Sequence, residues 1–264
     1  MARGRTAKVL IRERNGDGVR RRPDELIVEE PMEVRLDGHL VTTTMRTPGS
    51  DFELAVGLCF TEGLLAGASV KQVRYCGTGS ASGTEFNVVS VETGGEAPEP
   101  VARLGPTTSS CGLCGSSSID DLRARIAPLA DTQQFELDIL ASVPLRMREE
   151  QELFARTGAV HAAGAFDRSG EPLVVREDVG RHNAVDKVVG RLLLDGALPA
   201  RALGLYVSGR ASFEIVQKAW AAGFSCVMAV SAPSALAVDA ARAGGLALVG
   251  FVRGPRLNLY TDEA

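Results

Sequence analysis

The segment "TTSSCGLCGSSS", residues 107–118, sets Cys111 and Cys114 three apart in a run of glycine, serine and threonine. Thiolates are nucleophiles and metal ligands, so this spacing could serve zinc, a redox couple or a thiol that carries a group between partners. A zinc site needs four ligands, and the remaining three histidines and three cysteines are scattered singly along the chain. A redox pair normally opens a helix whose dipole lowers the first thiol's pKa, but glycine and serine flank both sides of this one. A mobile polar loop suits a thiol that must meet two partners, and a thiolate can hold sulfur as a reversible persulfide. Composition alone leaves all three chemistries open.

A second set of polar residues stands where strands give way to helices. The stretches "PLVVREDVGRHNAVDKVVGRLL", "ALGLYVSGRASFEIVQKAW" and "SCVMAVSAPSALAVDAARAG" each read as strand, short turn and amphipathic helix. Their turns carry Arg176, Asp178, Arg181, His182 and Asn183, then Ser208, Gly209, Arg210 and Ser212, then Ser231 and Ser234. Taken singly, such residues are helix caps and surface charges. Three junctions together predict one phosphate-binding cleft, because helix starts present free N–H groups and arginine forks match phosphate oxygens. His182 and Asp186, four apart on one predicted helix, share a face on which the carboxylate could orient the imidazole. Asn183 and Lys187 read as an adjacent, solvated stripe.

These junctions belong to a mixed or parallel α/β second half closed by a last strand, "LALVGFVR". The first third instead reads as strands: "ELIVEEPMEVRLDG" and "HLVTTTMRT" flank an Asp-Gly turn in hairpin fashion. Pro48 and Gly49 then break the strand, Ser50 and Glu53 read as a capping box, and "DFELAVGLCFTEGLL" follows as a largely buried helix. "IDDLRARIAPL" and "VPLRMREEQELFARTG" predict two further helices, the second started by Pro144 and stopped by Gly158. The expected organisation is a basic, flexible arm over 1–22, a β-rich module over 23–105, a mobile C-x-x-C loop over 106–120 and an α/β domain over 121–264.

The 264 residues are 45% hydrophobic and 23% charged, a balance typical of folded globular chains. A net charge of -4 gives no overall drive toward nucleic acid, although the first stretch is locally basic. No apolar run suits a signal peptide or a membrane span, so a cytoplasmic protein is expected. Five cysteines, an odd number, argue against a disulfide framework. Cys59 and Cys226 lie in apolar runs and read as small core residues, and Cys76 at the end of a strand reads as structural.

Ordered along the chain, "RTPGSDFELAVGLCFTEGLL", "SSCGLCG", "GAVHAAGAFD", "REDVGRHNAVDKVVG", "SGRASFEIVQKAW", "APSALAVD" and "LVGFVRGPRLNLYT" resemble the formate dehydrogenase accessory sulfurtransferases, the FdhD/NarQ family. The resemblance runs through nearly the whole sequence. It implies a sulfurtransferase that takes persulfide sulfur from a cysteine desulfurase and delivers it to the molybdenum cofactor, bis-molybdopterin guanine dinucleotide, for formate dehydrogenase. It implies that Cys111 carries the persulfide and that Cys114 has an auxiliary role. It also implies that Phe251, Val252, Arg253, Gly254, Pro255 and Arg256, "FVRGPR", bind the cofactor, and that the protein is a homodimer with no tightly held metal of its own, no nucleic-acid partner and no membrane anchor.

The family's C-terminal part is similar to the cytidine-deaminase fold, which implies a three-layer α/β sheet in the second half. Deaminases use His-x-Glu followed by Pro-Cys-x-x-Cys around zinc. Here His161-Ala162-Ala163 has alanine in place of the glutamate, and the C-x-x-C comes earlier in the chain. The fold is expected without the deaminase chemistry. A cofactor-binding adaptor that moves no sulfur is the competing reading.

Overall fold

The computed structural model describes residues 4–16, 18–76, 87–100, 119–130 and 132–261. Cys111 and Cys114, and with them the expected mobile loop, lie outside the described residues.

The basic N-terminal stretch, expected as a flexible arm, is instead an antiparallel hairpin. Strands β1 (Thr6–Asn15) and β2 (Gly18–Ile27) pair from Thr6 with Ile27 to Asn15 with Gly18. Arginines that repel one another in isolation are neutralised across the ladder: Glu13 pairs with both Arg20 and Arg22 at 2.7 and 2.8 Å.

A four-stranded sheet follows, in the order β4-β3-β6-β5. Strands β3 (Glu30–Leu36) and β4 (His39–Arg46) are joined through Asp37 and Gly38, at φ 47° and 86°, the positive values that a two-residue hairpin turn of this hand requires. Asp37 is held there because its carboxylate accepts from the Thr93 hydroxyl and from the Thr93 and Gly94 amides. Strand β6 (Val88–Glu92) lies parallel to β3, and β5 (Gln72–Tyr75) pairs with its other side.

Helix α1 (Asp51–Thr61) covers this sheet, with Leu54, Val56, Leu58 and Cys59 against Met32, Val34, Val89 and Val91. Its start departs from the expected capping box. Ser50 adopts a left-handed conformation at φ 55° and makes no side-chain cap bond. Glu53 turns away to bind Arg176. Asp51 replaces the box, accepting from the Gly49 amide at 3.1 Å and from the buried Arg46 guanidinium at 3.1 and 2.9 Å.

The second layer is a six-stranded sheet of order β12-β11-β10-β9-β7-β8. Strands β9 (Gly204–Val207), β10 (Cys226–Ala229) and β11 (Ala247–Arg253) run parallel, each reached through a helix as the sequence grammar predicts. Strand β7 (His161–Phe166) is antiparallel to both β9 and β8 (Pro172–Asp178), and β12 (Arg256–Leu259) closes the far edge antiparallel to β11. The sheet is therefore mixed.

Helices α5 (Arg181–Leu194), α6 (Phe213–Ala222) and α7 (Ala235–Gly244) bury one face, where Trp220, Val185 and Ile215 meet Leu205, Val227 and Leu248. The opposite face packs Tyr206, Met228 and Val249 against α3 (Leu137–Glu149) through Leu140, Val143 and Met147. Pro144 sits inside α3 rather than starting it, and a short helix α4 (Glu152–Thr157) follows the break at Glu150–Gln151. Gly158, at φ 67°, ends α4 as its position predicts. Helix α2 (Ile119–Arg125) packs near α7. Among the described residues no helix is long and apolar enough to cross a membrane.

Candidate functional site

The carboxyl ends of β8, β9 and β10 and the beginning of β7 meet at one edge of the mixed sheet. Ser208 is locked there: its amide donates to the Ala162 carbonyl and its hydroxyl accepts from the Ala162 amide, both at 2.9 Å. Gly209 follows, close against the His161 ring and the Arg181 side chain. A Cβ on it would stand 3.5 Å from the His161 ring and 4.0 Å from Arg181 Cδ. Its carbonyl accepts from the Ser231 amide at 3.3 Å, and the Ser231 carbonyl accepts from the Phe251 amide at 3.2 Å. Ser208, Gly209, Arg181 and Ser231 are thus neighbours, as the junction pattern predicts, and Phe251 of the "FVRGPR" stretch joins them.

The electrostatics of this edge favour an anion. Burial, reinforced by Arg181 and Arg210, holds the His161 imidazole below its ordinary value, so near neutral pH the ring is uncharged beside two guanidinium groups. The Arg181 Nε is buried with no hydrogen-bond partner. His182 lies 3.4 Å from the Ser212 hydroxyl and 4.0 Å from Glu214. Although burial pushes the Glu214 carboxyl up, the Ser212 hydroxyl, the backbone, His182 and Arg181 together keep it below the usual carboxylate range.

Four expectations change here. Asp178 does not face the cleft: it is buried, bound to Lys187 at 2.7 Å, and accepts from the Thr47 and Gly180 amides and from Asn183. Arg176 is committed to Glu53 at 2.5 and 2.8 Å. Asp186 does not orient His182. It binds Lys218 at 2.9 Å and accepts from Thr61 at 2.8 Å, because α5 turns that carboxylate toward α1 and α6. Asn183 and Lys187, expected as a solvated stripe, are both buried and tie α5 to the end of β4 through the Met45 and Thr47 carbonyls. Ser234 keeps the ordinary role of a cap, accepting from the Ala237 amide at 3.2 Å.

The "FVRGPR" stretch spans the end of β11 and the start of β12. Phe251 is in a left-handed conformation at φ 54°, and Gly254 and Pro255 form the exposed turn. Phe251, Arg253, Arg256 and Asn258 line a shallow pocket of about 300 Å³. Val252 points the other way, its side chain buried in the core.

Sequence reasoning missed a cleft of about 540 Å³ on the α3–α4 side of the same edge. Arg148, Gln151, Phe154, His161, Tyr206 and Ser208 line it. The Arg148 guanidinium sits 4.0 Å from the Phe154 ring centre. Gln151 is 2% exposed, and its side-chain amide meets the Tyr206 hydroxyl. His161 and Ser208 lie in segments that the sequence singles out, whereas no local motif marks Arg148, Gln151, Phe154 or Tyr206, which come from a helix break and a strand interior.

A family profile described as the FdhD/NarQ family matches residues 27–264. The chain belongs to the FdhD/NarQ family. Relatives named sulfur carrier protein FdhD bear this out. Those from Streptomyces avermitilis and Streptomyces coelicolor are each 48% identical, over 100% and 98% of this chain and 96% and 95% of their own. The relative from Nocardia farcinica is 49% identical over 91% of this chain and 88% of its own. Among solved structures, a protein from Desulfotalea psychrophila assigned as a formate dehydrogenase accessory protein shares the fold, with a TM-score of 0.75 and 24% identity over 98% of this chain and 97% of that one. For this FdhD/NarQ chain, the described fold thus extends over both sheets.

Proposed function

We propose that this chain is a sulfur carrier for formate dehydrogenase maturation. The observation that carries the reading is its 48% identity, along the full chain, to a relative named sulfur carrier protein FdhD. The C-x-x-C pair supplies suitable chemistry. The Cys111 thiolate attacks the terminal sulfur of a cysteine desulfurase persulfide, the donor's S–S bond breaks, and the donor leaves as a thiolate. Cys111 then bears the persulfide until its outer sulfur passes as a sulfane sulfur atom to the molybdenum cofactor, the client cargo, which in reduced form would supply the two electrons that bring it to the sulfide level, and the Cys111 thiolate is restored. Cys114 is auxiliary to this exchange.

The cleft suits the cargo's dinucleotide part. Arg181, with its unpartnered Nε, and Arg210 beside a neutral His161 are a donor set for pyrophosphate oxygens. Ser208, Ser212, Ser231 and His182 supply further polar groups at the same strand ends. Phe251, Arg253 and Arg256 add an aromatic face and two cations at the neighbouring hairpin. On this reading the mixed sheet is a deaminase-like layer put to carrier use, since Ala163 stands where a deaminase needs its glutamate. The protein acts in the cytoplasm as a homodimer.

The test is mass spectrometry after incubation with a cysteine desulfurase and cysteine. The expected result is a gain of one sulfur atom on the Cys111 peptide, absent in Cys111→Ala, which also fails to activate formate dehydrogenase. No gain of sulfur, with GDP binding intact, would replace the carrier by an adaptor that binds cofactor without moving sulfur.

A further inference from the structure

We propose that the β1–β2 hairpin is a docking arm whose cationic face lies along the outer face of α3 of a second copy of this chain. The proposal rests on the homodimer reading above and names the two surfaces that join the copies.

The ladder register puts Lys8, Leu10, Arg12 and Arg14 of β1 on the same face as Glu25, Pro23, Arg21 and Val19 of β2. At the base of this face Glu25 and Thr6 hold Arg156 of α4. Farther out the cations go unanswered. Arg12 and Arg21 stand directly opposite each other with no ion pair among the described residues, and Arg14 donates to the Gly16 carbonyl at 3.3 Å. Like charges directly opposite weaken a ladder, so this pair costs the hairpin stability unless acids from elsewhere face it. Leu10 and Val19 are 66% and 61% exposed, and a two-stranded hairpin is only marginally stable in water when nothing covers it.

The outer face of α3 is the complement of that face. Asp138, Leu145 and Glu149 fall in one stripe of the helix, within about 40° of one another at 3.6 residues per turn. All three are exposed, Leu145 at 70%. Neither acid has an ion pair among the described residues, whereas the cations of α3 are committed, Arg146 to the Ser169 carbonyl and Glu171, and Arg148 to the Phe154 ring. The spacings agree. At about 1.5 Å of rise per helical residue, Glu149 and Asp138 lie about 6 and 10 Å to either side of Leu145. At about 3.4 Å per strand residue, Lys8 and Arg12 flank Leu10 at about 7 Å, and Arg14 lies at about 14 Å. An arm laid along α3 thus sets Leu10 on Leu145, Lys8 near Glu149, and Arg12 and Arg14 around Asp138. Residues 1–27 hold eight of the 29 lysines and arginines but four of the 33 acids, so the body that an arm meets on a second copy is net acidic. That body attracts the arm and repels a nucleic acid, and two-fold pairing forms the contact twice.

Analytical ultracentrifugation of the full chain in low and high salt tests the contact. The wild type is expected to be a dimer whose dissociation constant rises about tenfold in high salt. Leu10→Asp and Leu145→Asp, both at exposed positions, should each weaken dimerisation about a hundredfold. Arg12→Glu with Arg21→Glu should weaken it comparably, and adding Asp138→Lys with Glu149→Lys should recover about tenfold of that loss, a rescue that mere disorder of the hairpin would not give. If the hairpin variants fail to fold by circular dichroism, Leu145→Asp and the Asp138 and Glu149 swap carry the comparison. Wild-type dimer affinity in Leu10→Asp and Leu145→Asp overturns this inference alone, and a loss in Leu10→Asp with none in Leu145→Asp overturns the seat on α3. A monomeric wild type overturns the homodimer reading and this inference with it. A duplex oligonucleotide bound by that monomer, and lost in the Arg12 and Arg21 swap, would assign the arm to nucleic acid instead.

Discussion

Gly57 of α1 and Gly190 of α5 pack backbone against backbone. A Cβ on Gly57 would lie 1.8 Å from the Asp186 carbonyl oxygen and 2.8 Å from the Gly190 amide, and one on Gly190 would lie 1.8 Å from the Glu53 carbonyl oxygen. This contact clamps the helix of the small sheet to the helix whose first residues, Arg181 and His182, enter the cleft. Gly57→Ala or Gly190→Ala forces the helices apart and should cost about 3 kcal/mol in urea unfolding. Wild-type stability in both variants would show that the helices slide without cost.

The buried Lys187–Asp178 pair, at 2.7 Å, lies immediately below the turn that launches Arg181. Lys187→Met leaves a buried carboxylate with only neutral donors, and is expected to destabilise by about 3–5 kcal/mol. A midpoint shifted by less than a third of that would mean that Thr47, Gly180 and Asn183 suffice.

His161 offers a pH signature. Its folded pKa lies below the ordinary 6.5, through burial and then Arg181 and Arg210, so the unfolded chain binds a proton more readily. The stability it contributes is fully present above pH 6.5 and declines as the pH falls below it. An anion on the two arginines should reverse their effect and move the His161 titration upward. A His161 NMR titration unchanged by pyrophosphate would separate this histidine from the anion site.

The terminal hairpin is fastened to α4 by Arg156, which binds Glu25 and the Thr6 hydroxyl. Arg156 and Thr6 pull the Glu25 carboxyl down to about 2. That link is present above the ordinary value of 4.5 and is lost as pH falls toward 2. Arg156→Ala should accelerate hydrogen exchange across residues 6–27 with little change in the global melting temperature, as an exposed pair adds little stability. Unaltered exchange would assign the hairpin's order to its own ladder.

Cys59 and Cys226 are fully buried, and burial pushes both thiols up to about 12. At pH 8, iodoacetamide should spare them in the folded protein and label them after denaturation. Labelling of either without denaturant would indicate local opening of its layer.

The sequence by itself determined whatever is written in neighbouring residues. The Asp37–Gly38 turn, the three strand-to-helix junctions, Gly158 as a helix stop and the core positions of Cys59 and Cys226 all follow from local periodicity, backbone freedom or apolar flanks. The clustering of Ser208, Arg210, Arg181 and Ser231 was legible too, because strand ends of an α/β sheet share an edge. Tertiary structure decided the pairings between distant segments. It sent Glu53 to Arg176 instead of a capping box, gave Asp186 to Lys218 instead of His182, and laid β7 antiparallel between β8 and β9. It also brought Gln151 to Tyr206 across the sheet face. A charge or a buried amide takes the partner that packing leaves nearest once water is excluded, and that choice leaves no trace in sequence spacing.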